Sequence, residues 1–210
     1  MKKTALLVSL MTVIAGCNVL SGNKAVNREC AFAAPVCESN IQTLQDGITK
    51  FSANGGMYII KDMDSGKTMD NTSIHFDADS VYYTYFHKID FDNSATPERL
   101  LNKYINLVKS SGNGLKRQLR DNVIGGTGST GRKADIAGVE VSGVTSTTDK
   151  MGTNNVMTAF LGHVKHNGKT YAYVFILDEP KGLKSTYGWK TAGWNVVPTA
   201  RGVIENIIKE

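Results

Sequence analysis

Two runs rich in β-branched and aromatic residues, Val156–Val164 and Tyr171–Leu177, lie on either side of His166-Asn167-Gly168-Lys169. An Asn-Gly pair tolerates the left-handed backbone of a tight two-residue turn, so this stretch predicts a β-hairpin. A third run, Val139–Thr147, precedes it and reads as another strand. Strands joined this closely pair antiparallel, since a parallel neighbour would need a long crossover.

The flanking segments carry a helical period. Ile41, Leu44, Ile48 and Phe51 fall on one face of a segment that Asn54-Gly55-Gly56 would terminate. Met57-Tyr58-Ile59-Ile60 then reads as a strand, Asp62–Asn71 as turn, and Ser80–Phe86 as a strand dense in tyrosine. Pro97 opens a helix to Val108 through Leu100, Leu101, Tyr104 and Ile105, with Leu115–Ile124 its continuation or a second short helix. The chain closes on a helix Pro198–Ile208, apolar at Val203, Ile204, Ile207 and Ile208. The expected fold class is α+β, an antiparallel sheet with helices packed on it.

The N-terminus reads as an export signal. Lys2 and Lys3 precede an apolar run, Ala5–Ala15, shorter than the roughly 20 residues a spanning helix needs. Ile14-Ala15-Gly16-Cys17 then matches a bacterial lipobox, which predicts cleavage before Cys17 and acylation of its thiol. Asn18 is not the aspartate of an inner-membrane retention signal, so the expected location is an outer membrane, facing the periplasm. Removing residues 1–16 from 210 leaves 194, enough for one domain, and takes the formal charge from +5 to +3. No basic cluster reads as a nucleic-acid stripe. In an oxidising compartment the remaining pair, Cys30 and Cys37, reads as a disulfide. A metal pair would want a nearby histidine, and a redox pair a two-residue spacing. Asn18–Ser39 is small and polar, so residues 17–40 read as a tether carrying that bridge.

The C-terminal half carries a resemblance. Gly143-Val144-Thr145-Ser146-Thr147, Thr158-Ala159-Phe160-Leu161-Gly162, Leu177-Asp178-Glu179-Pro180-Lys181-Gly182, Tyr187-Gly188 and Thr191-Ala192-Gly193-Trp194-Asn195 follow in the order found at the C-terminal end of class B penicillin-binding-protein transpeptidase domains. That family cross-links peptidoglycan. The resemblance covers residues 41–60 and 115–210 and implies that 41–210 form a partial transpeptidase-like domain. In the family the opening strand reads Lys-Thr-Gly-Thr after a glycine. Here Val144 stands at the lysine and Ser146 at the glycine, giving the degenerate strand Val144, Thr145, Ser146, Thr147.

The chemistry such an enzyme needs is missing in other places too. Acylation requires a Ser-x-x-Lys helix that activates the serine. The one match, Ser21-Gly22-Asn23-Lys24, falls in the tether, where nothing holds hydroxyl against amine. Ser111-Gly112-Asn113 fits the family's Ser-x-Asn turn by letters, but after the Asn-Gly-Gly helix end instead of before it, and reads as a loop between helices. Gly126–Gly131 fits G-x-G-x-x-G, yet the order helix, glycines, strand is wrong for a dinucleotide site, so it reads as a turn. His163 and His166 lie three apart on a strand and point to opposite faces, which argues against a metal. Asp178-Glu179 reads as a solvated turn, and Trp189 and Trp194 as anchors of the last helix in preference to sugar-stacking rings.

The sequence therefore predicts a lipid-anchored, catalytically inactive relative of the family, with no cofactor, no metal and no nucleic-acid partner. Its expected partners are the membrane through the lipid, and peptidoglycan or the proteins that synthesise it. A split enzyme completed by a second chain and a gene remnant without function are the competing readings.

Overall fold

The computed structural model describes residues 26–86 and 92–210. Cys17 and the Ser21–Lys24 motif lie outside them. Six strands, β1 (Val26–Cys30), β2 (Gly55–Asp62), β3 (Thr68–Ile74), β6 (Glu140–Asp149), β7 (Val156–His166) and β8 (Lys169–Asp178), form one antiparallel sheet in the order β1-β3-β2-β8-β7-β6. A separate two-stranded ribbon pairs β4 (Tyr82–Tyr85) with β5 (Asp92–Ala95).

The hairpin forms as its sequence predicts. Asn167 and Gly168 both take positive φ, 48° and 75°, which the mirror-image turn requires, and His166 faces Lys169. The register then runs unbroken to Met157↔Asp178. On the far side of β8, β2 pairs from Gly55↔Asp178 to Asp62↔Tyr171, across more than a hundred residues of sequence.

Pleating sends alternate side chains to two cores. Tyr58, Ile60, Phe160, Tyr173, Phe175 and Leu177 meet α1 (Ala34–Lys50) and α4 (Val196–Ile207) on one face. Met57, Ile59, Leu161, Val174 and Ile176 meet α2 (Pro97–Ser110) and Leu119 of α3 (Asn113–Ile124) on the other. Each large apolar side chain fully buried this way contributes about 1.5–3 kcal/mol. The helices α1 and α4 cross closely: a Cβ on Gly47 would stand 2.5 Å from Thr199 Cγ2, so only glycine lets them approach this far.

The tether reading of residues 17–40 is corrected over its described part. Residues 26–30 form edge strand β1, paired with β3 from Val26↔Ile74 to Cys30↔Asp70. Helix α1 starts at Ala34, not Ile41, with Pro35 in its first turn where a missing N–H costs nothing. The Cys30–Cys37 disulfide joins strand to helix, and Phe32 and Cys37 are buried beside it. A small, polar composition hid this because main-chain pairing and one covalent bond do the holding there, not a periodic apolar face.

A second correction concerns Asp62–Asn71. The turn ends at Lys67, and Thr68–Ile74 is a strand whose inward residues include polar ones. Asp70 is fully buried and accepts hydrogen bonds from Asn40 Nδ2 (3.1 Å), Tyr58 OH (3.0 Å) and Thr72 Oγ1 (2.8 Å). Burial pushes its carboxyl above the usual range against the pull of these donors. A strand that turns an aspartate inward shows no apolar alternation, so its pattern was unreadable. The helix after Pro97 ends two residues later than expected, and α3 is a separate helix.

No helix among the described residues is long and apolar enough to cross a membrane.

Ile204 of α4 has no exposed surface and packs in the first core. Ile204→Asp would bury an unpaired carboxylate at a cost of several kcal/mol. We expect loss of the cooperative thermal transition, measured by circular dichroism. An unchanged midpoint would place α4 elsewhere.

Candidate functional site

Among the described residues β6 is the outermost strand of its edge, and one row of its backbone groups has no strand partner there. Helix α3 covers the first part of that row. Arg120 Nη1 donates to the Val141 carbonyl at 2.7 Å and Asn122 Nδ2 to the Gly143 carbonyl at 2.8 Å. Two residues apart on a strand, these carbonyls point the same way. Beyond Gly143 the strand borders an open cleft of about 830 Å³. Its walls are the glycine-rich turn and 3-10 turn at residues 127–133, Thr145–Thr147 of β6, and the loop Gly188–Trp194 that leads into α4.

The hydroxyls along the cleft hold one another and the backbone. Thr145 Oγ1 donates to Thr130 Oγ1 (2.7 Å), and Thr130 donates on to Asn122 Oδ1 (3.0 Å). Asn122 returns a bond to Gly143 of the same strand, closing a loop that ties turn, helix and strand together. Ser129 donates to the Asp121 carbonyl, Ser146 pairs with Thr148, and Thr147 Oγ1 accepts from the Ala192 N–H. Each partner is a carbonyl, an amide or another hydroxyl. An activated nucleophile needs a base as its acceptor.

Val144 points the other way. It is 1% exposed and packs with Leu101, Tyr104, Leu119 and Leu161 in the second core. Ser146, on the same face of β6, is 3% exposed. Val144 is thus closed into the second core, whereas Ser146, though little exposed, borders the cleft.

The cleft's charge comes from residues that the sequence did not single out. Arg132, Lys133 and Lys190 line it, and among the described residues no carboxylate does. Lys133 Nζ stands 4.3 Å above the Trp194 ring and Arg132 Cζ 5.7 Å from it. Trp189 meets Trp194 edge-on at 5.8 Å and is 55% exposed. Trp194 does sit in the turn before α4, but Trp189 is a cleft wall and not a helix anchor, which corrects the expectation. The hint was its neighbourhood: an aromatic next to Lys190, with Arg132-Lys133 just after a glycine turn. Fifty-odd residues of separation kept the two halves from reading as one site.

Asp178 and Glu179 are not a solvated turn. Lys150 Nζ bonds Asp178 Oδ1 at 2.9 Å and Glu179 Oε1 at 2.7 Å, and Asn155 Nδ2 donates to Glu179 Oε2. Partial burial alone would lower the Lys150 pKa, but the two carboxylates outweigh it and raise it. The bond from Lys150 holds Glu179 below the usual range. The correction has a simple cause: Lys150 comes from the β6–β7 loop, remote in sequence. Ser111–Asn113 joins α2 to α3, with Ser111 Oγ bonded to the Val108 carbonyl. Gly126–Gly131 is the turn that follows α3. Among the described residues no group of three or more His, Cys, Asp or Glu is placed to hold a metal.

His163 turns inward to Tyr104, with 2.8 Å between Nδ1 and the phenol oxygen. Burial pushes its pKa down to about 4, with nearby Lys116 adding to the effect and Glu140 opposing it.

No family model matches the chain. A probable peptidoglycan D,D-transpeptidase FtsI from Caulobacter vibrioides is 34% identical over 100 residues, covering 42% of this chain and 17% of that protein. The transpeptidase domain of FtsI4 D,D-transpeptidase from Legionella pneumophila superposes with a TM-score of 0.68 at 14% identity, covering 86% of this chain and 99% of that one. The transpeptidase domain of Burkholderia pseudomallei penicillin-binding protein 3 gives 0.61 at 9%, covering 86% and 95%. The fold is that of a penicillin-binding-protein transpeptidase domain. The match spans less than a fifth of the curated relative, so the two share a segment and not a full length. Within this fold Val144 lies in a core, and the cations Arg132, Lys133 and Lys190 lie on the loops around the cleft.

A neutral His163 gives the pH test. Above pH 6.5 the ring is neutral whether folded or not. Between about 6.5 and 4 the unfolded chain takes up a proton that the folded one refuses, so stability falls as pH falls, by on the order of 3 kcal/mol at most. Asp70, with a raised pKa, has the opposite sign. We expect His163→Gln, which keeps an acceptor for Tyr104, to flatten the decline of the midpoint between pH 6.5 and 4 relative to wild type. Parallel curves for the two proteins would refute it.

Proposed function

We propose that this chain is a lipid-anchored, catalytically inactive, penicillin-binding-protein-like envelope protein that binds or scaffolds at sites of peptidoglycan assembly. The observation that carries the reading is the state of β6. Its lysine position is Val144, sealed in a core, and the Ser129, Thr130 and Thr145 hydroxyls along the cleft donate to a carbonyl, an amide oxygen and another hydroxyl, none of which is a base. The Ser-x-x-Lys letters fall only at Ser21–Lys24. Without a nucleophile and its base, an oxyanion site and binding alone leave at best about 10³–10⁴-fold enhancement. The cleft, by contrast, is open and cationic, as a binding site would be. The envelope location is supported by the FtsI relative and by the disulfide, which suits an oxidising compartment.

The test is a fluorescent penicillin. The drug mimics the acyl-D-Ala-D-Ala end that a transpeptidase serine attacks. We expect no covalently labelled band from the full chain at long incubation. A labelled serine identified by mass spectrometry would overturn the reading.

The anchor is tested separately. Wild type should fractionate with membranes, and Cys17→Ala should release it. A soluble wild type would refute lipidation.

A further inference from the structure

We propose that the β6 cleft binds glycan strands whose sugar rings carry free carboxylates. The inference deepens the cell-wall reading above and rests on it: it names the ligand of that same cleft.

Three observations carry it. The first is uncompensated charge. Arg132, Lys133 and Lys190 all line the cleft, none of its lining residues is acidic, and among the described residues none of the three is paired with a carboxylate. Lys133 and Arg132 are steadied instead by the Trp194 ring, which orients a cation without neutralising it. The second is an aromatic shelf. Trp189, edge-on to Trp194, exposes more than half its surface, and Tyr187 continues the shelf outward at 6.3 Å with 90% exposure. Large aromatic side chains left this open in a folded domain mark a surface built to be covered. The C–H face of a pyranose is the flat, weakly apolar partner such a ring takes, with polar tips remaining wet. The third is capacity. A cleft of about 830 Å³ stands high in the ~300–1,000 Å³ range of small-ligand sites and admits more than one ring, with Thr127, Thr191 and main-chain groups to meet sugar hydroxyls.

Charge and stacking together discriminate. A neutral sugar leaves the cations unanswered. A stem peptide offers carboxylates but no flat face for Trp189. Nucleic acid would want a long basic stripe, and the chain's net charge is only +5 before any signal is removed.

Binding of the full-length chain is measured by calorimetry against four probes. These are peptide-free glycan strands made by amidase treatment of sacculi, which expose lactyl carboxylates, then polygalacturonate, a neutral chitooligosaccharide and a free pentapeptide. We expect the stripped strands to bind at least tenfold tighter than the chitooligosaccharide, with affinity falling as salt rises. Trp189→Ala and Lys133→Ala should each weaken binding tenfold or more, their thermal midpoints staying near wild type because both side chains border open space. Polygalacturonate binding equally well supports the chemistry and assigns the source to acidic glycans at large; tighter binding of the stripped strands assigns it to the cell wall. Equal affinity for the neutral sugar, full competition by the pentapeptide, or an unchanged Trp189→Ala would overturn the proposal. Intact sacculi still captured under those outcomes would leave the binding reading standing, whereas no capture at all sinks both.

Discussion

Both faces of β8 and its neighbours β2 and β7 are buried, and everything else in this molecule is arranged around that fact. From Tyr171 to Leu177 no side chain of β8 reaches solvent appreciably. A strand apolar on both faces needs a layer on each side, so α1 and α4 cover one and α2 the other. The three-layer packing then assigns β6 to the rim. Its outer edge would invite pairing with any passing strand, and Arg120 and Asn122 cap its Val141 and Gly143 carbonyls with side-chain donors. The cleft is the part of the edge left uncovered.

The same packing decides what β6 can do chemically. Alternate residues of a strand face opposite layers, so one strand serves a core and a cleft at once. Val144 contributes to the core beneath α2, while Thr145 and Thr147 contribute to the cleft wall. A lysine among Leu101, Leu119 and Leu161 would lose its hydration with nothing to replace it. An uncharged Val144 and closure of that face are thus mutually consistent, and the cleft's cationic character is carried by Arg132, Lys133 and Lys190.

Polar groups do as much as apolar ones at the opposite edge. Asp70 survives burial because three donors reach it, from α1, β2 and its own strand. Asn40, held in this way to Asp70, pins α1 to the sheet just where the Cys30–Cys37 bond pins it to β1. A bridge closing so short a loop contributes about 2–3 kcal/mol. Together they make an edge strand and a helix out of a segment with almost no apolar pattern.

What the sequence by itself determined was local: strands and helices whose apolar period is strong, the strand through Val144–Thr147, the Asn167-Gly168 hairpin, and the Cys30–Cys37 pair. Those signals lie within a few residues of one another, which is the range over which periodicity and turn chemistry act. Only the tertiary structure decided the rest. It placed β2 beside β8, recruited β1 and β3 through main-chain pairing and a buried aspartate, brought Lys150 to Asp178 and Glu179, and set Trp189 and Lys190 against Arg132 and Lys133. Each of these contacts joins residues far apart in the chain. Their energy comes from closeness in space, and no pattern of neighbours in sequence encodes it.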